Sequence, residues 1–491
     1  MQEKQRLESK RKWCHGKVVC FLGCRKLWYL SEMSETRPIP RHIDVEGFRS
    51  NPLIFLQSLA KRGEPLVLIS DSCAIFSRSS NCRNVVAAFG PEALRGILTN
   101  ADAFGMAVSA AEQLALPPAL KQLNQGLFSM TGETHTQTQH LLRPMFSAQN
   151  IQVLRPVIEA GWKAFHEGLQ TEGDVALLAE MRQLVMHVSG RVVFGLDHGE
   201  IAREIQNYFD MRRQLASDPH RAVGESRRSL LRMGNRVRRA ILGRLDSPSA
   251  AFGGLIDHLR LLKTSDGKPL APDDVVSHAN VLFMSSSEPV VVALTWILII
   301  LSQLPQLRSE LRRQYLAVKD EWAAKGADPT FPLLDGVIFE SLRLLPPNAI
   351  MVRLTKRPVE LCGHHLDQDW EVLFSPFVEH RNPNVFSDPE SFRPDRWLAL
   401  APTQFTYFPF GTGTRYCLGK PMALMLLREL LVRLVVDFDI VLSKSQMIDW
   451  KMDVVLRPQN DPTVKFQPVG SANERFAFGR LDGPSAELFN F

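Results

Sequence analysis

Apolar residues recur at the three- and four-residue spacing of a buried helix face over much of the chain. This spacing predicts long helices in five segments: Ile151 to Glu172, Leu177 to Phe194, Arg227 to Leu245, Asp273 to Leu304 and Gly419 to Phe438. Strand-like sequence is confined to two short segments, Pro65 to Ile75 and Arg353 to Phe374. The pattern predicts a mainly α-helical body with a small β-sheet region, an α+β architecture.

The longest apolar run, Val290 to Leu301, is shorter than the roughly 20 residues that cross a bilayer, so it is expected to be the centre of a buried helix. No repeat or low-complexity linker divides the 491 residues, and one large domain is expected. An apolar fraction of 45% is that of a globular protein. The net charge of +6 has no concentrated stripe, which disfavours nucleic-acid binding and suits an acidic protein partner.

The two ends of the chain differ from its body. Residues 1–32 are interpreted as a disordered or mis-assigned extension, because a polar, proline-punctuated sequence from Met33 is typical of the start of a compact domain. A weak membrane-surface anchor is the alternative. Residues 33–470 are expected to form the main domain and residues 471–491 a tail.

Seven scattered cysteines are too few for a disulfide scaffold of this length and predict a reducing, cytoplasmic location. Three of them lie close together near the start of the chain beside a histidine. A zinc site formed by these residues fits no familiar ligand spacing. They are Cys14, Cys20, Cys24 and His15.

Near the end of the chain, Cys417 stands among three glycines and is followed by a helical apolar pattern. A glycine-rich loop therefore delivers a thiol to the start of a helix. The helix amino terminus and Arg415 both favour the thiolate, and glycines let the backbone approach a planar macrocycle. A cysteine beside glycines is more often an ordinary core residue, so its assignment as a metal ligand depends on the residues around it.

The segment resembles the ligand-loop signature of the cytochrome P450 superfamily at every position: Phe410, Gly413, Arg415, Cys417 and Gly419. Further motifs agree in order and spacing, and the chain is identified as a soluble, bacterial-type member. The resemblance implies the fold of that family, with haem b (iron protoporphyrin IX) buried between a long central helix and the cysteine loop. It also implies that Cys417 is the axial thiolate ligand and that the other signature residues surround the cofactor.

Four more segments carry positions of the family pattern. Glu340 and Arg343 lie one helical turn apart, and in the family such an ion pair locks onto a downstream arginine, which is Arg396 here. An isolated pair of this kind is usually exposed and contributes little, but with both motifs present a buried structural network is expected. Arg353 and His135 match positions that bind the haem propionates.

The agreement weakens just after His135. Gln139 stands where the family commonly has an arginine, and His140 and Arg143 lie nearby. The sequence leaves open which residue holds the propionate instead.

The predicted central helix contains the run Ser285, Ser286, Ser287, Glu288 and Pro289. In the family, an acid followed by a threonine stands here, and the threonine helps deliver protons during oxygen activation. Pro289 replaces the threonine and, lacking an amide hydrogen, should release the carbonyl of Ser285 from the helix ladder. Glu288, Ser285 and Ser287 are the candidate catalytic residues. The alternative is that the serines only bond back to helix carbonyls and that Glu288 is solvated.

The resemblance implies a monooxygenase that inserts one oxygen atom from dioxygen into a hydrophobic small molecule, such as a fatty acid, a terpenoid or another secondary metabolite. Electrons are expected from a separate ferredoxin or flavoprotein reductase, and the enzyme is expected to be a monomer. Arg143, Arg415 and Lys420 are candidates for the docking surface. Because of Pro289, a peroxygenase, isomerase or dehydratase is the alternative. A haem-binding sensor without turnover is a further one.

The substrate pocket is expected to be largely apolar. Three segments are predicted to line it: Ala101 to Met130, Asn348 to Val352 and Val281 to Val292. Asn348 is a polar handle within them. The arginine-rich segment from Arg203 to Arg244 resembles the lid of the family and is interpreted as a solvated helix face, with an acidic substrate or a membrane contact as alternatives.

Overall fold

The computed structural model describes residues 37–76, 81–106, 116–169, 173–195, 199–217, 224–247, 254–264, 266–324, 331–470 and 481–482. The helices in these residues are α1 (Val45–Ser50), α2 (Pro52–Ala60), α3 (Gly90–Thr99), α4 (Pro118–Leu123), α5 (Gly126–Ser129), α6 (Gly132–Leu142), α7 (Ala148–Gln152), α8 (Arg155–Gly168), α9 (Leu177–Phe194), α10 (Gly199–Ser217), α11 (Gly224–Asp246), α12 (Leu255–Leu261), α13 (Pro272–Gln303), α14 (Pro305–Ala324), α15 (Pro332–Leu344), α16 (Pro376–Glu379) and α17 (Lys420–Asp437). The strands are β1 (Leu66–Ser70), β2 (Val85–Ala88), β3 (Phe104–Met106), β4 (Val175–Ala176), β5 (Met351–Thr355), β6 (Val359–Leu361), β7 (His364–Leu366), β8 (Glu371–Phe374), β9 (Phe438–Leu442), β10 (Gln446–Met447), β11 (Trp450–Met452), β12 (Leu456–Pro458), β13 (Thr463–Pro468) and β14 (Leu481–Asp482).

The central helix α13 begins at Pro272, a favoured first position because the amide missing from proline would have no partner there. Asp273 and Asp274 follow in the first turn, where a negative charge opposes the positive end of the helix dipole. The helix then continues through Pro289 for a total of 32 residues. Helices α9, α15 and α17 pack against it, so α13 organises the core.

Among the described residues, α13 is also the one helix long and apolar enough to cross a membrane. However, 83% of its most apolar window is buried inside the fold. Burial of this kind is typical of the core helix of a folded domain, and the run from Val290 to Leu301 is the centre of a buried helix, as predicted.

The largest sheet has five strands in the order β1-β2-β8-β5-β3. Strands β2 and β8 pair in parallel, and the other neighbours are antiparallel. On β5, Arg353 lies between Met106 of β3 and Val372 of β8. The sheet therefore fixes the backbone of this arginine from both sides.

The predicted architecture, mainly helical with a small sheet, is confirmed. Helix α9 covers the predicted residues, whereas the helix predicted from Ile151 to Glu172 is interrupted, since α7 ends at Gln152 and α8 begins at Arg155. Pro156, in the first turn of α8, explains the break, because proline is accepted at a helix start and not in its interior.

From Pro38 onward the chain forms one compact unit. Within the predicted tail, Leu481 and Asp482 pair in parallel with β10. The predicted extension of residues 1–32 and its zinc candidates lie outside the described residues, as do the other tail residues, 471–480 and 483–491.

Candidate active site

The loop that carries Cys417 is closed by its own backbone. The amide of Cys417 donates to the carbonyl of Phe410 at 2.9 Å, and the amide of Gly411 donates to the carbonyl of Phe408 at 2.9 Å. Gly419 is the N-cap of α17. The sulfur therefore lies immediately before a helix amino terminus, as the sequence predicts.

The environment of the thiol combines two opposing influences. Burial raises the pKa of Cys417, while the backbone amides of Gly419 and Lys420 and the charge of Lys420 act to lower this pKa. The cysteine is nevertheless accessible to solvent. A sulfur that protein atoms surround and solvent still reaches must face an internal cleft. A large group that enters this cleft meets the thiol directly, and a cationic metal would favour the thiolate.

The glycines of the loop have different roles. Gly413 has a φ of +68°, and a Cβ atom there would lie 2.0 Å from the carbonyl oxygen of Leu98 at the end of α3. At this position the close approach is to the protein's own backbone. At Gly419 the nearest atoms to a Cβ would be the Cys417 sulfur and the Phe146 ring, each at 3.9 Å. Phe410 is half-buried beneath the Lys420 ammonium, which lies 5.8 Å from its ring centre.

A cavity beside the loop is lined by basic side chains, of which only the histidine is neutral at pH 7. His135, Arg353, Lys356 and Arg415 all line it, and none of its described lining residues is acidic. Burial, and secondarily Arg415, lowers the pKa of Arg353 to about 10, so this arginine stays charged at neutral pH. The same two causes lower the pKa of His135 to about 4, which leaves its ring neutral. The cavity therefore fits the carboxylates of an anionic ligand.

Within the described residues, the guanidinium groups of Arg353 and Arg415 donate hydrogen bonds only to neutral acceptors. Arg353 donates to its neighbouring carbonyl, that of Val352, at 2.9 Å. Arg415 donates to the carbonyl of Met130. Arg415 is half-buried in this position, and its part in a docking surface stays a prediction.

Gln139, which replaces the arginine common in the family, does not line the cavity, and neither do the nearby His140 and Arg143. Gln139 is buried and donates from Nε2 to the carbonyl of Thr414 at 3.3 Å, tying α6 to the cysteine loop. Arg143 is exposed and lies over the ring of Tyr416 at 5.7 Å, and His140 is exposed as well. The amide of Gln139 thus binds the loop, and the positive charges of the cavity come from other elements.

Glu340 and Arg343 form a fully buried pair. Arg343 donates from Nε and from a terminal nitrogen to the two carboxylate oxygens at 2.9 and 2.8 Å, and Arg396 donates to Glu340 at 3.0 Å. Trp397 adds a further bond from Nε1 at 3.0 Å. Backbone carbonyls accept the remaining guanidinium hydrogens of Arg343 and three further bonds from Arg396, so the cost of burying this charge cluster is offset.

This network reaches the cysteine loop through His380. Arg343 donates to the carbonyl of His380 at 3.0 Å, and the His380 ring accepts from the amide of Phe408 at 2.9 Å. Complete burial and the nearby Arg343 hold the pKa of His380 well below its usual value, so the ring is neutral and can accept. Tyr407, next in the loop, donates to the carbonyl of Phe339 on α15 at 2.9 Å. Sequence patterns did not reveal this bond, because Phe408 and His380 lie 28 residues apart in the chain.

On α13, the candidate catalytic residues lie on different faces. Val281, Leu282, Ser285 and Pro289 are half-buried and recur at helical spacing, and we refer to these four residues as the half-exposed stripe. Such a stripe in the middle of a core helix indicates that this face lines a cleft. Glu288 and Ser287 are buried on other faces.

The buried Glu288 is held by two other helices. Arg182 of α9 and Gln206 of α10 each donate to its carboxylate at 3.2 Å. Glu288 is thus a paired buried acid, and the alternative of a solvated side chain is wrong. Sequence patterns gave no indication of either partner, because both come from helices about 80 or more residues away.

The serine hydroxyls bond back to their own helix. Ser285 donates to the carbonyl of Val281, and Ser287 donates to that of Phe283 at 2.6 Å. Pro289 has no amide hydrogen with which to bond the carbonyl of Ser285. Of the two candidate serines, only Ser285 is on the half-exposed stripe.

Other predicted pocket and lid residues are placed as follows. Asn348 is exposed, and part of the segment from Ala101 to Met130 lies outside the described residues. On the arginine-rich segment, Arg238 pairs with Asp273 and Arg228 with Glu225. These ion pairs agree with a solvated helix face at these two positions, whereas Arg244, at the end of the segment, is buried and pairs with Asp257 at 2.8 Å.

The cleft-facing cysteine, the cationic cavity beside it and the half-exposed stripe of α13 together define a haem-thiolate protein. The cytochrome P450 family model matches residues 254–466. The chain belongs to the cytochrome P450 superfamily, which confirms the family expected from its motifs.

Individual comparisons agree with this membership. The chain is 28% identical to cyclooctatin synthase of Streptomyces melanosporofaciens, over 75% of this chain and 81% of that protein. It is 26% identical to pentalenene oxygenase of Streptomyces avermitilis, over 76% of this chain and 83% of that protein. The structure of retinoic acid-bound cyanobacterial CYP120A1 superimposes with a TM-score of 0.71 at 21% identity, covering 88% of this chain and all of that chain, and it establishes the shared fold.

The protein is a P450 monooxygenase whose cofactor is haem with Cys417 as the axial thiolate, as predicted. The described residues fit that cofactor, since the thiol faces a cleft and carboxylate-binding cations lie beside it. When bound, the haem supplies the activation of dioxygen and the oxidation of a carbon-hydrogen bond. The protein supplies the binding site, the orientation of the substrate and the protons.

Proposed function

We propose that this enzyme oxygenates a hydrophobic terpenoid. The half-exposed stripe carries the proposal, because Val281, Leu282 and the Pro289 ring present an apolar surface with one hydroxyl, that of Ser285. Two relatives, pentalenene oxygenase and cyclooctat-9-en-7-ol 5-monooxygenase, are named for terpenoid substrates. A surface of this kind suits a compact hydrocarbon or a terpene alcohol.

The test is a titration of the purified ferric enzyme with three ligand sets: cyclic terpenes and their alcohols, straight-chain fatty acids and aromatic metabolites. Terpenoids are expected to give the tightest saturable change in haem absorption, followed by product formation with a reductase and NAD(P)H. Tight binding and turnover of fatty acids, with no response to any terpenoid, would refute the substrate class.

We propose further that Ser285 assists proton delivery in place of the absent threonine, with Glu288 as the buried acid behind it and Ser287 in a secondary role. Ser285 is the one candidate on the half-exposed stripe, and its hydroxyl can exchange its bond to Val281 for a bond to substrate or water. Glu288 can contribute only if its bonds to Arg182 and Gln206 loosen, since these now hold its carboxylate.

Ser285→Ala and Ser287→Ala are a matched pair for this role. Ser285→Ala is expected to lower the amount of product formed per NAD(P)H consumed. Ser287 is only 1% exposed and its hydroxyl donates to the carbonyl of Phe283, so Ser287→Ala is expected to change this coupling little. Equal coupling in both variants would remove Ser285 from the proton pathway.

Pro289 favours a second candidate function, the use of peroxide instead of dioxygen and reductant. Peroxide already carries the protons that the missing threonine would help to deliver. Product yields with reductase plus NAD(P)H and with hydrogen peroxide distinguish the two. Pro289→Thr is expected to shift the yield toward the reductase-driven reaction. Strict reductase dependence with tight coupling in the unaltered enzyme would eliminate the peroxide proposal.

We infer that electrons come from a separate ferredoxin or flavoprotein reductase that docks beside the cysteine loop. Arg143 and Lys420 are both exposed there. Arg143→Glu is expected to slow reduction by an acidic ferredoxin, with a stronger effect at low salt, while Arg228→Glu on α11 leaves the rate unchanged. Unchanged kinetics in Arg143→Glu would exclude this surface. The monomeric state and the cytoplasmic location stay predictions, as does the assignment of residues 33–470 as the haem domain.

A further inference from the structure

The cationic cavity contains one residue that the sequence motifs do not include. Lys356 lies just beyond β5 and lines the cavity together with His135, Arg353 and Arg415. Its ammonium donates to the carbonyl of Ala101 at 2.8 Å, a neutral acceptor. No acidic residue is among the described residues that line this cavity, so the positive charge of Lys356 is available to bind an anion.

The stem of Lys356 is held in place by a neighbouring strand. Its amide donates to the carbonyl of Ala103 at 2.7 Å. A Cβ atom at Gly105 of β3 would lie 2.9 Å from Cε and 3.4 Å from Cγ of the lysine. The absence of a side chain at Gly105 leaves this space for the lysine, whose aliphatic stem lies against the strand while the residue lines the cavity.

The nature of the anion follows from the position of the cavity. Thr414 and Arg415, two of its lining residues, belong to the loop that presents Cys417. Haem bound through Cys417 lies against this loop, and its two propionates are its anionic groups. Gln139 is neutral and already bonded to Thr414, so it brings no charge.

We propose that Lys356 is a haem-propionate-binding residue, which supplies the positive charge that Gln139 does not. Together with Arg353 and Arg415 it gives three cations for two carboxylates. The neutral His135 adds a hydrogen-bond donor. Lys356 is a positioning residue that retains the cofactor and takes no part in the chemical step.

The test measures haem retention in the purified holoprotein by transfer to excess apomyoglobin. Lys356→Met keeps the unbranched stem over Gly105 and removes the charge, and Lys356→Gln is a second neutral variant. Because an exposed ion pair contributes modestly, both are expected to release haem about two- to fivefold faster at low ionic strength. Lys356→Arg should release it at the unaltered rate, as should Lys444→Met at an exposed lysine outside the cavity lining.

Salt provides the second readout. The ratio of variant to unaltered release rates should fall toward one as ionic strength rises, because screening removes the same interaction. The reduction potential of the haem should also fall in the neutral variants, since a nearby positive charge stabilises the reduced form. The ferric absorption spectrum and the near-ultraviolet circular dichroism verify that thiolate ligation and fold are retained.

Two results would overturn the proposal. One is release of haem from Lys356→Met at the rate of Lys444→Met in low salt. The other is equally fast release from Lys356→Arg with no salt dependence, which would assign the effect to packing of the stem. Neither result depends on the substrate or on the oxidant, so the proposal can fail while the proposed function stands.

Discussion

Replacement of Gly413 by alanine tests whether the cysteine loop is positioned by its contact with α3. The new Cβ would be 2.0 Å from the carbonyl oxygen of Leu98, whereas real Cβ atoms essentially never approach closer than 3.0 Å. The loop and the helix end must therefore separate by about 1 Å. Both partners are backbone, so no side-chain rotation relieves the overlap.

Gly411 is the matched control for this substitution. It has a φ of +66°, close to that of Gly413, but its Cβ would have no neighbour nearer than the Arg415 carbonyl at 3.6 Å. Alanine at either position costs roughly 1–2 kcal/mol for the left-handed backbone. Gly413→Ala adds the steric overlap with Leu98 to this cost, and we expect the free energy of unfolding to fall by about 3 kcal/mol or more in total.

The assays are the fraction of thiolate-ligated haem in the reduced carbon monoxide spectrum and the midpoint of urea unfolding. Gly411→Ala is expected to keep nearly all of its thiolate ligation. Gly413→Ala should lose a large part of it, because the shift of the loop moves Cys417. Equal stability and equal ligation in the two variants would refute the conclusion that packing on Leu98 positions the loop.

Other predictions concern the buried charges behind the site. Glu340→Gln leaves two arginines without their shared carboxylate and is expected to destabilise the fold by about 3–5 kcal/mol, whereas Glu225→Gln, which breaks a pair with Arg228 in which both side chains are exposed, should cost about 1 kcal/mol or less; similar unfolding midpoints would contradict the network. Trp397→Phe removes one bond to Glu340 and should cost about 1 kcal/mol by the same assay. Burial raises the pKa of Glu379 from 4.5 to about 7, so the folded carboxyl binds a proton that the unfolded one has lost, and stability should fall as pH rises through that window. At about 1.36 kcal/mol per pKa unit the effect is about 3 kcal/mol. Glu379→Gln should abolish this slope, and an unchanged slope would exclude Glu379 as its source.

Much of the fold was predictable because its signals are local. The apolar spacing located α9, α11, α13 and α17 to within a few residues. Helices α10 and α14 were not among the predicted segments. Strands β2 and β3 are only 4 and 3 residues long and become strands through pairing with distant β8 and β5.

The sequence by itself identified Cys417 as the iron ligand, because Cys417 and the other signature residues form one continuous segment. Their spacing does not depend on how the rest of the chain folds. The sequence also determined that Glu340 and Arg343 can pair, because helix geometry brings residues three apart together. Only the tertiary structure decided which charges meet across the chain. Arg182 and Gln206 reach Glu288 from two other helices, and Lys356 reaches the cavity because Gly105 leaves room for its stem. Such contacts depend on how elements pack, and packing joins residues that no spacing along the chain relates.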